Sequence, residues 1–179
     1  MTIPKKCVQF KSSLKGLSMN IRLAENSDAD DIWSIVKPVL RAGETYPLPK
    51  DISRQGGLAY WFAPEKTLFV AEDKAQALIG VYYIKPNNQG GGDHICNCGY
   101  VTKASERGRG IGAKLCAHSL AYAKQAGYRG MQYNLVVSTN TAAVYLWQKM
   151  GFKIVGTIPG IFHHPSIGDV DAHVMFQAL

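Results

Sequence analysis

The sequence predicts an α/β fold of the α+β kind, with strands and helices interleaved in one domain. Three observations carry this. Apolar residues recur at helical spacing through Ile32, Ile35, Val36, Val39 and Leu40. They alternate well enough for strands over residues 67–72 and 78–84, which Asp73 to Ala77 would join as a hairpin. Residues 101–115, VTKASERGRGIGAKL, read as a strand end, a basic turn and the first turns of a helix. At 179 residues the chain has the size of one domain with a substantial core.

In chain order, residues 1–18 carry Lys5, Lys6, Lys11 and Lys15, no acid and no amphipathic pattern, which predicts a mobile basic extension ahead of a domain over 19–179. A first strand is expected at 20–24. Ser27 offers a helix cap, with Asp28, Asp30 and Asp31 suited to the helix start. A turn-rich connection, RAGETYPLPKD, leads to a short helix over 53–62. After the hairpin, a loop over 86–92 precedes a strand over 93–102. A helix follows from Arg109 to about Ala126, stopped by Gly127. A buried strand over 131–137 is next, then a helix capped by Ser138 or Thr139 and ended by Gly151. The last strands are expected at 152–158 and 170–176, with His163 and His164 exposed in the loop between them.

The turn Arg107-Gly108-Arg109-Gly110-Ile111-Gly112 is the chemically specific stretch. Alternating glycines let a bulky anion approach the backbone without meeting a Cβ. A helix starting there points unpaired N–H groups and its positive dipole end into the same space. Lys103, Arg107, Arg109 and Lys114 add charge, so the stretch suits a pyrophosphate held mainly by backbone amides. A dinucleotide fingerprint fails, because Ala113 stands where its third glycine belongs, and the Gly-Lys-Ser/Thr of a P-loop is absent.

Composition narrows the function. The net charge of +7 and a pI near 9.2 raise the question of nucleic acid. Aromatic residues are not interleaved with a basic stripe, so a phosphate-rich small ligand is the expected partner and nucleic acid is not. No apolar run reaches the roughly 18 residues of a membrane span, so no membrane partner is expected. The cysteines Cys7, Cys96, Cys98 and Cys116 suggest no disulfide framework and fit a cytoplasmic protein. His94, Cys96 and Cys98 make a poor tetrahedral site, and no metal is expected.

The turn resembles motif A of the GNAT superfamily of acetyl-CoA-dependent N-acetyltransferases: Arg107, Gly110 and Gly112 meet its Arg/Gln-x-x-Gly-x-Gly/Ala pattern. A second family block follows in NTAAVYLWQKMGF, at Asn140, Ala143, Leu146, Lys149, Gly151 and Phe152. The resemblance spans about residues 21–176. It implies a mixed, largely antiparallel central sheet of about seven strands flanked by helices and splayed between its two central strands. It also implies acetyl-CoA as acetyl donor. Arg107, Gly108, Arg109, Gly110, Gly112 and Ala113 would hold the pyrophosphate, and strand amides at Tyr100, Val101 and Thr102 the pantetheine arm. One of those amides would polarise the thioester carbonyl. Glu44, Tyr46 and Trp61 become acceptor-contact candidates, and a homodimer is expected by the same analogy.

One position departs from the common pattern. Many relatives place a tyrosine near the leaving sulfur, where this chain has Trp147, which donates N–H but is no proton-transfer acid. Tyr145 lies about 200° round the helix and does not substitute. Asn140 lies about 20° off the Trp147 face, able to meet the sulfur or pantetheine, or to cap the helix locally. With ETYP, YYIKPN, HICNCGY and QYNLVVSTN, this resembles the proline-analogue (L-azetidine-2-carboxylate) N-acetyltransferase branch. That resemblance implies that Asn97 and Asn134 border the gap where acceptor and thioester meet, and makes Asn97, Asn134 and Asn140 the catalytic candidates. The general base stays open between Asp93, His94 and a bound water. The function expected is direct acetyl transfer to a small-molecule amine, such as an amino or cyclic imino acid. The alternatives are a protein N-terminal or lysine acetyltransferase and a non-catalytic CoA-binding module.

Overall fold

A computed structural model describes residues 19–179; the basic extension expected at 1–18 lies outside the described residues. The chain runs β1 (Asn20–Leu23), α1 (Ala29–Ala42), α2 (Arg54–Trp61), β2 (Thr67–Glu72), β3 (Leu78–Pro86) and β4 (Ile95–Thr102). It continues through α3 (Ile111–Gln125), β5 (Gly130–Val137), α4 (Thr141–Lys149), β6 (Lys153–His164) and β7 (Gly168–Ala178). The strands form one seven-stranded sheet in the order β1-β2-β3-β4-β5-β7-β6. Every neighbouring pair is antiparallel except β4 and β5, which are parallel.

Period-2 alternation gives the sheet two buried faces, and the helices divide between them. Val81, Tyr83 and Val101 face α1 and α2, packing with Ile32, Val36, Leu40 and Trp61. Tyr82, Ile84, Cys96 and Cys98 face the other way, onto Ile111, Leu115 and Cys116 of α3 and Trp147 of α4. Gly99 is needed on the first of these faces, because the Tyr83 ring lies across it. A Cβ there would come within 2.6 Å of Tyr83 Cε1. No helix among the described residues is long and apolar enough to cross a membrane.

Three local expectations are corrected. Ser27 does not cap α1: a 3-10 turn over Asn26–Asp28 precedes the helix, closed by the reciprocal Glu25 and Asp28 capping box. The cap of α4 is Asn140, whose side chain accepts from Ala143 N–H, rather than Ser138 or Thr139. The final loop is far shorter than expected, because β6 continues to His164 along β7, with register shifts at Ile154/Gly156 and Ile158/Phe162. Pro159 falls in the second shift, on an edge strand, where a missing N–H costs no ladder bond.

Candidate active site

The central wedge follows from how briefly β4 and β5 pair. Their partners are Ile95 with Gly130 and Cys96 with Met131, after which the strands diverge. From Asn97 to Thr102, β4 therefore has a neighbour only in β3. Lys103 N–H donates to Ile79 O and Asn87 N–H to Ile95 O, so the odd-numbered residues of β4 turn their backbone groups to β3. The even-numbered Cys98, Tyr100 and Thr102 turn theirs into the wedge. Of the three expected pantetheine contacts, Tyr100 and Thr102 are thus placed to pair with a ligand, whereas the Val101 amide is directed to β3.

Side chains brace this wedge on both faces. Asn97 is buried and its Nδ2 donates to Gln132 O at 2.8 Å, just beyond the last paired residues. On the α3 side, the Tyr100 and Tyr133 hydroxyls meet at 2.9 Å, and Tyr100 OH also pairs with Ser119 Oγ at 2.7 Å. Tyr46, from the α1–α2 connection, donates its hydroxyl to Tyr100 O at 3.3 Å. Asn134 lies where the β5–β7 register shifts between Tyr133 and Val136, a bulge of the kind that re-aims side chains beside active sites. It is exposed, accepts from Gln132 Nε2 at 2.8 Å and donates to Asn87 Oδ1 at 2.7 Å. Sequence reasoning did not single out Gln132 or Asn87 as site residues, although QYNLVVSTN contains the former and YYIKPN the latter.

The pyrophosphate turn sits where α3 begins. Gly108 and Gly110 have φ of +79° and +78°, and a Cβ added at either would meet nothing within 4 Å, so space opens in front of both. Lys114 N–H donates to Gly110 O, leaving the amides of Ile111, Gly112 and Ala113 ahead of the first intrahelical bond. These features fit a polyanion. Gly112 has a second reason to lack a Cβ, since one would stand 3.1 Å from Leu146 Cδ2 of α4. Arg109 forms an ion pair with Glu106.

Trp147 is 9% exposed, with its ring centroid 5.0 Å from that of Tyr100 and 5.1 Å from that of Tyr133. It therefore packs beneath the wedge, whereas Tyr145 is 67% exposed. The Asn140 oxygen is engaged in capping α4 at 3.3 Å. Burial raises the Cys98 thiol, and pushes Cys116 up to about 12, so neither is held as a nucleophilic thiolate. Among the described residues no three His, Cys, Asp or Glu side chains gather as a metal site.

A cleft of about 510 Å³ lies between the α1–α2 connection and the β6–β7 hairpin. One wall is the α1–α2 connection, with Gly43, Tyr46, Pro47, Leu48 and Lys50. Leu135 of β5 contributes from the sheet, and Ile161, Phe162, His163 and Pro165 form the opposite wall. Tyr46 joins cleft to wedge through its bond to Tyr100 O. Glu44 is exposed and outside this lining, and Trp61 is fully buried against Tyr46 and Tyr83. Neither lines the cleft. The His94 carbonyl accepts from Arg129 N–H before the closed end of the wedge, so Asp93 and His94 stand apart from the cleft. His163 instead lines it, with Nδ1 2.8 Å from Asp169 Oδ1.

Comparison with known proteins agrees with this geometry. The model of the acetyltransferase (GNAT) family matches residues 30–152. The N-acetyltransferase aca1 of Schizosaccharomyces pombe is 31% identical over 171 residues, covering 87% of this chain and 82% of its own. The solved structure of a GCN5-related N-acetyltransferase from Kribbella flavida superposes with a TM-score of 0.86 at 36% identity, covering 90% of this chain and 98% of that one. At 20% identity and a TM-score of 0.79, yncA of Salmonella typhimurium, solved with acetyl-CoA, shares the fold over 90% of this chain and 94% of its own. The chain belongs to the GNAT acetyltransferase family. It is an acyltransferase whose acetyl donor is acetyl-CoA.

Proposed function

We propose that the acceptor is a small amine carrying a carboxylate, an amino acid or cyclic imino acid, acetylated by direct attack in a ternary complex. The observation that carries this reading is the cleft. Its volume of about 510 Å³ falls in the usual range for small-molecule sites. Its wall includes Lys50, and none of the described residues lining it is acidic, which favours an anionic group on the acceptor. A groove for basic peptide segments would carry the opposite charge.

Acetyl-CoA supplies the activated acetyl group and the leaving thiol. The chain's own part is to hold and orient. The turn at Gly108 and Gly110 and the leading amides of α3 take the pyrophosphate, while Tyr100 and Thr102 offer backbone pairing to the pantetheine. Asn97 braces the closed end of the wedge, and Asn134 presents an amide between wedge and solvent. The proline-analogue branch remains part of this proposal, supported by the three asparagines and Trp147.

The test is CoA release with a series of amino acids, cyclic imino acids, polyamines and peptides. Turnover of carboxylate-bearing small amines is expected, with their methyl esters losing roughly tenfold or more in kcat/KM, the scale of one charge-assisted hydrogen bond. Equal rates on acid and ester, or turnover of peptides alone, would refute it.

A further inference from the structure

We propose that His163 is the general base of the transfer, taking a proton from the acceptor nitrogen at Nε2 while Asp169 positions its ring. This rests on the reading that the acceptor occupies the cleft between the α1–α2 connection and the β6–β7 hairpin. An aliphatic amine is protonated at neutral pH and has no lone pair to offer, so a group beside it must accept a proton.

The described cleft lining holds three titratable side chains: Tyr46, Lys50 and His163. Tyr46 already donates its hydroxyl to Tyr100 O, and Lys50 is a cation. Histidine is the side-chain type among them suited to general-base work.

Its geometry is that of an oriented base. His163 and Asp169 are direct partners in the β6–β7 register, and the 2.8 Å contact joins Nδ1 to the carboxylate. A carboxylate can only accept, so Nδ1 carries the hydrogen and the Nε2 lone pair is left for a proton. The charged partner of this ring is Asp169 from β7, and Lys50 lines the same cleft from the α1–α2 connection. Leu135 contributes no charge from β5. The side chain is 82% exposed, so the captured proton has a direct path to water. His164 alternates to the other face, and its Nδ1 accepts from Ser166 N–H.

The step balances without another reactant. Nε2 removes one ammonium proton, and the freed nitrogen pair forms the C–N bond to the acetyl carbon. The C–S bond then breaks, and the second N–H proton leaves with the thiolate as CoA thiol. His163 returns its proton to solvent.

The test combines kinetics with NMR on the full-length protein. His163→Gln is expected to lower kcat/KM for the acceptor about 100-fold or more at pH 7, the lower range for a positioned general base. KM for acetyl-CoA should stay within about twofold, since only the acceptor step is touched. The acidic limb of the kcat/KM profile should disappear in His163→Gln and stay in place in His164→Gln. A His163→Gln variant that keeps both limb and rate overturns the proposal. The ring nitrogen signals of His163 need no acceptor: in the neutral ring Nδ1 should carry the hydrogen, and an Nε2–H tautomer refutes the pair. Should the wild type acetylate peptides alone, the small-acceptor reading fails, while the same variants assayed on the peptide still decide the base.

Discussion

Gly110 separates the two demands made on the anion turn, backbone shape and open space. Its φ of +78° is a left-handed conformation, and nothing lies within 4 Å of where a Cβ would stand. Gly110→Ala therefore introduces conformational cost without a clash, about 1–2 kcal/mol. For a domain of this size that lowers Tm by roughly 2–8 °C. Gly110→Asp adds a carboxylate facing the space where the pyrophosphate is expected. Two unit charges roughly 6 Å apart at an effective dielectric of about 20 repel by about 3 kcal/mol, which weakens binding about 100-fold beyond the alanine variant. Calorimetric titration with acetyl-CoA reads affinity, and a thermal melt without ligand reads the backbone cost separately. The reasoning fails if the aspartate variant binds acetyl-CoA as tightly as the alanine variant.

Two further outcomes follow from buried groups. His118, paired with the Tyr82 hydroxyl at 2.6 Å, is lowered from 6.5 to about 4 by burial. Between those values the unfolded chain binds the proton and the folded one does not, so stability falls as pH drops through that window. Going from pH 7 to pH 5, this residue alone should remove about 2 kcal/mol, and urea unfolding of His118→Gln should lack that share; identical pH dependence in both proteins would contradict it. Gly99→Ala drives a methyl into the buried Tyr83 ring, and should destabilise by about 1–3 kcal/mol in the same assay, with wild-type stability showing that the ring can step aside.

The features most legible in the sequence are those that depend on local chemistry. Glycines at 108 and 110 announced a turn open to an anion, and apolar alternation in β2 and β3 announced the hairpin. The opposed directions of Tyr145 and Trp147 followed from 3.6 residues per turn. Other features needed partners distant in the chain. Asn140, Ser138 and Thr139 are all able caps, and tertiary placement of α4 selects among them. The length of β6 is set by β7 opposite, despite Pro159. The cleft unites Lys50, Leu135 and His163 from three elements, a juxtaposition that spacing along the chain does not encode.

The divergence of β4 and β5 means that this sheet is mechanically two pieces. The links between them include two backbone pairings, the Asn97–Gln132 and Asn134–Asn87 bonds and a pair of tyrosine hydroxyls. A pantetheine lying along Tyr100 and Thr102 acts as an eighth strand of foreign chemistry, knitting the halves together. Free CoA keeps that same arm after the acetyl group has gone. On the proposed pairing, the spent donor would keep the same backbone contacts as the fresh one, and slow escape of CoA is the brake to expect on the cycle.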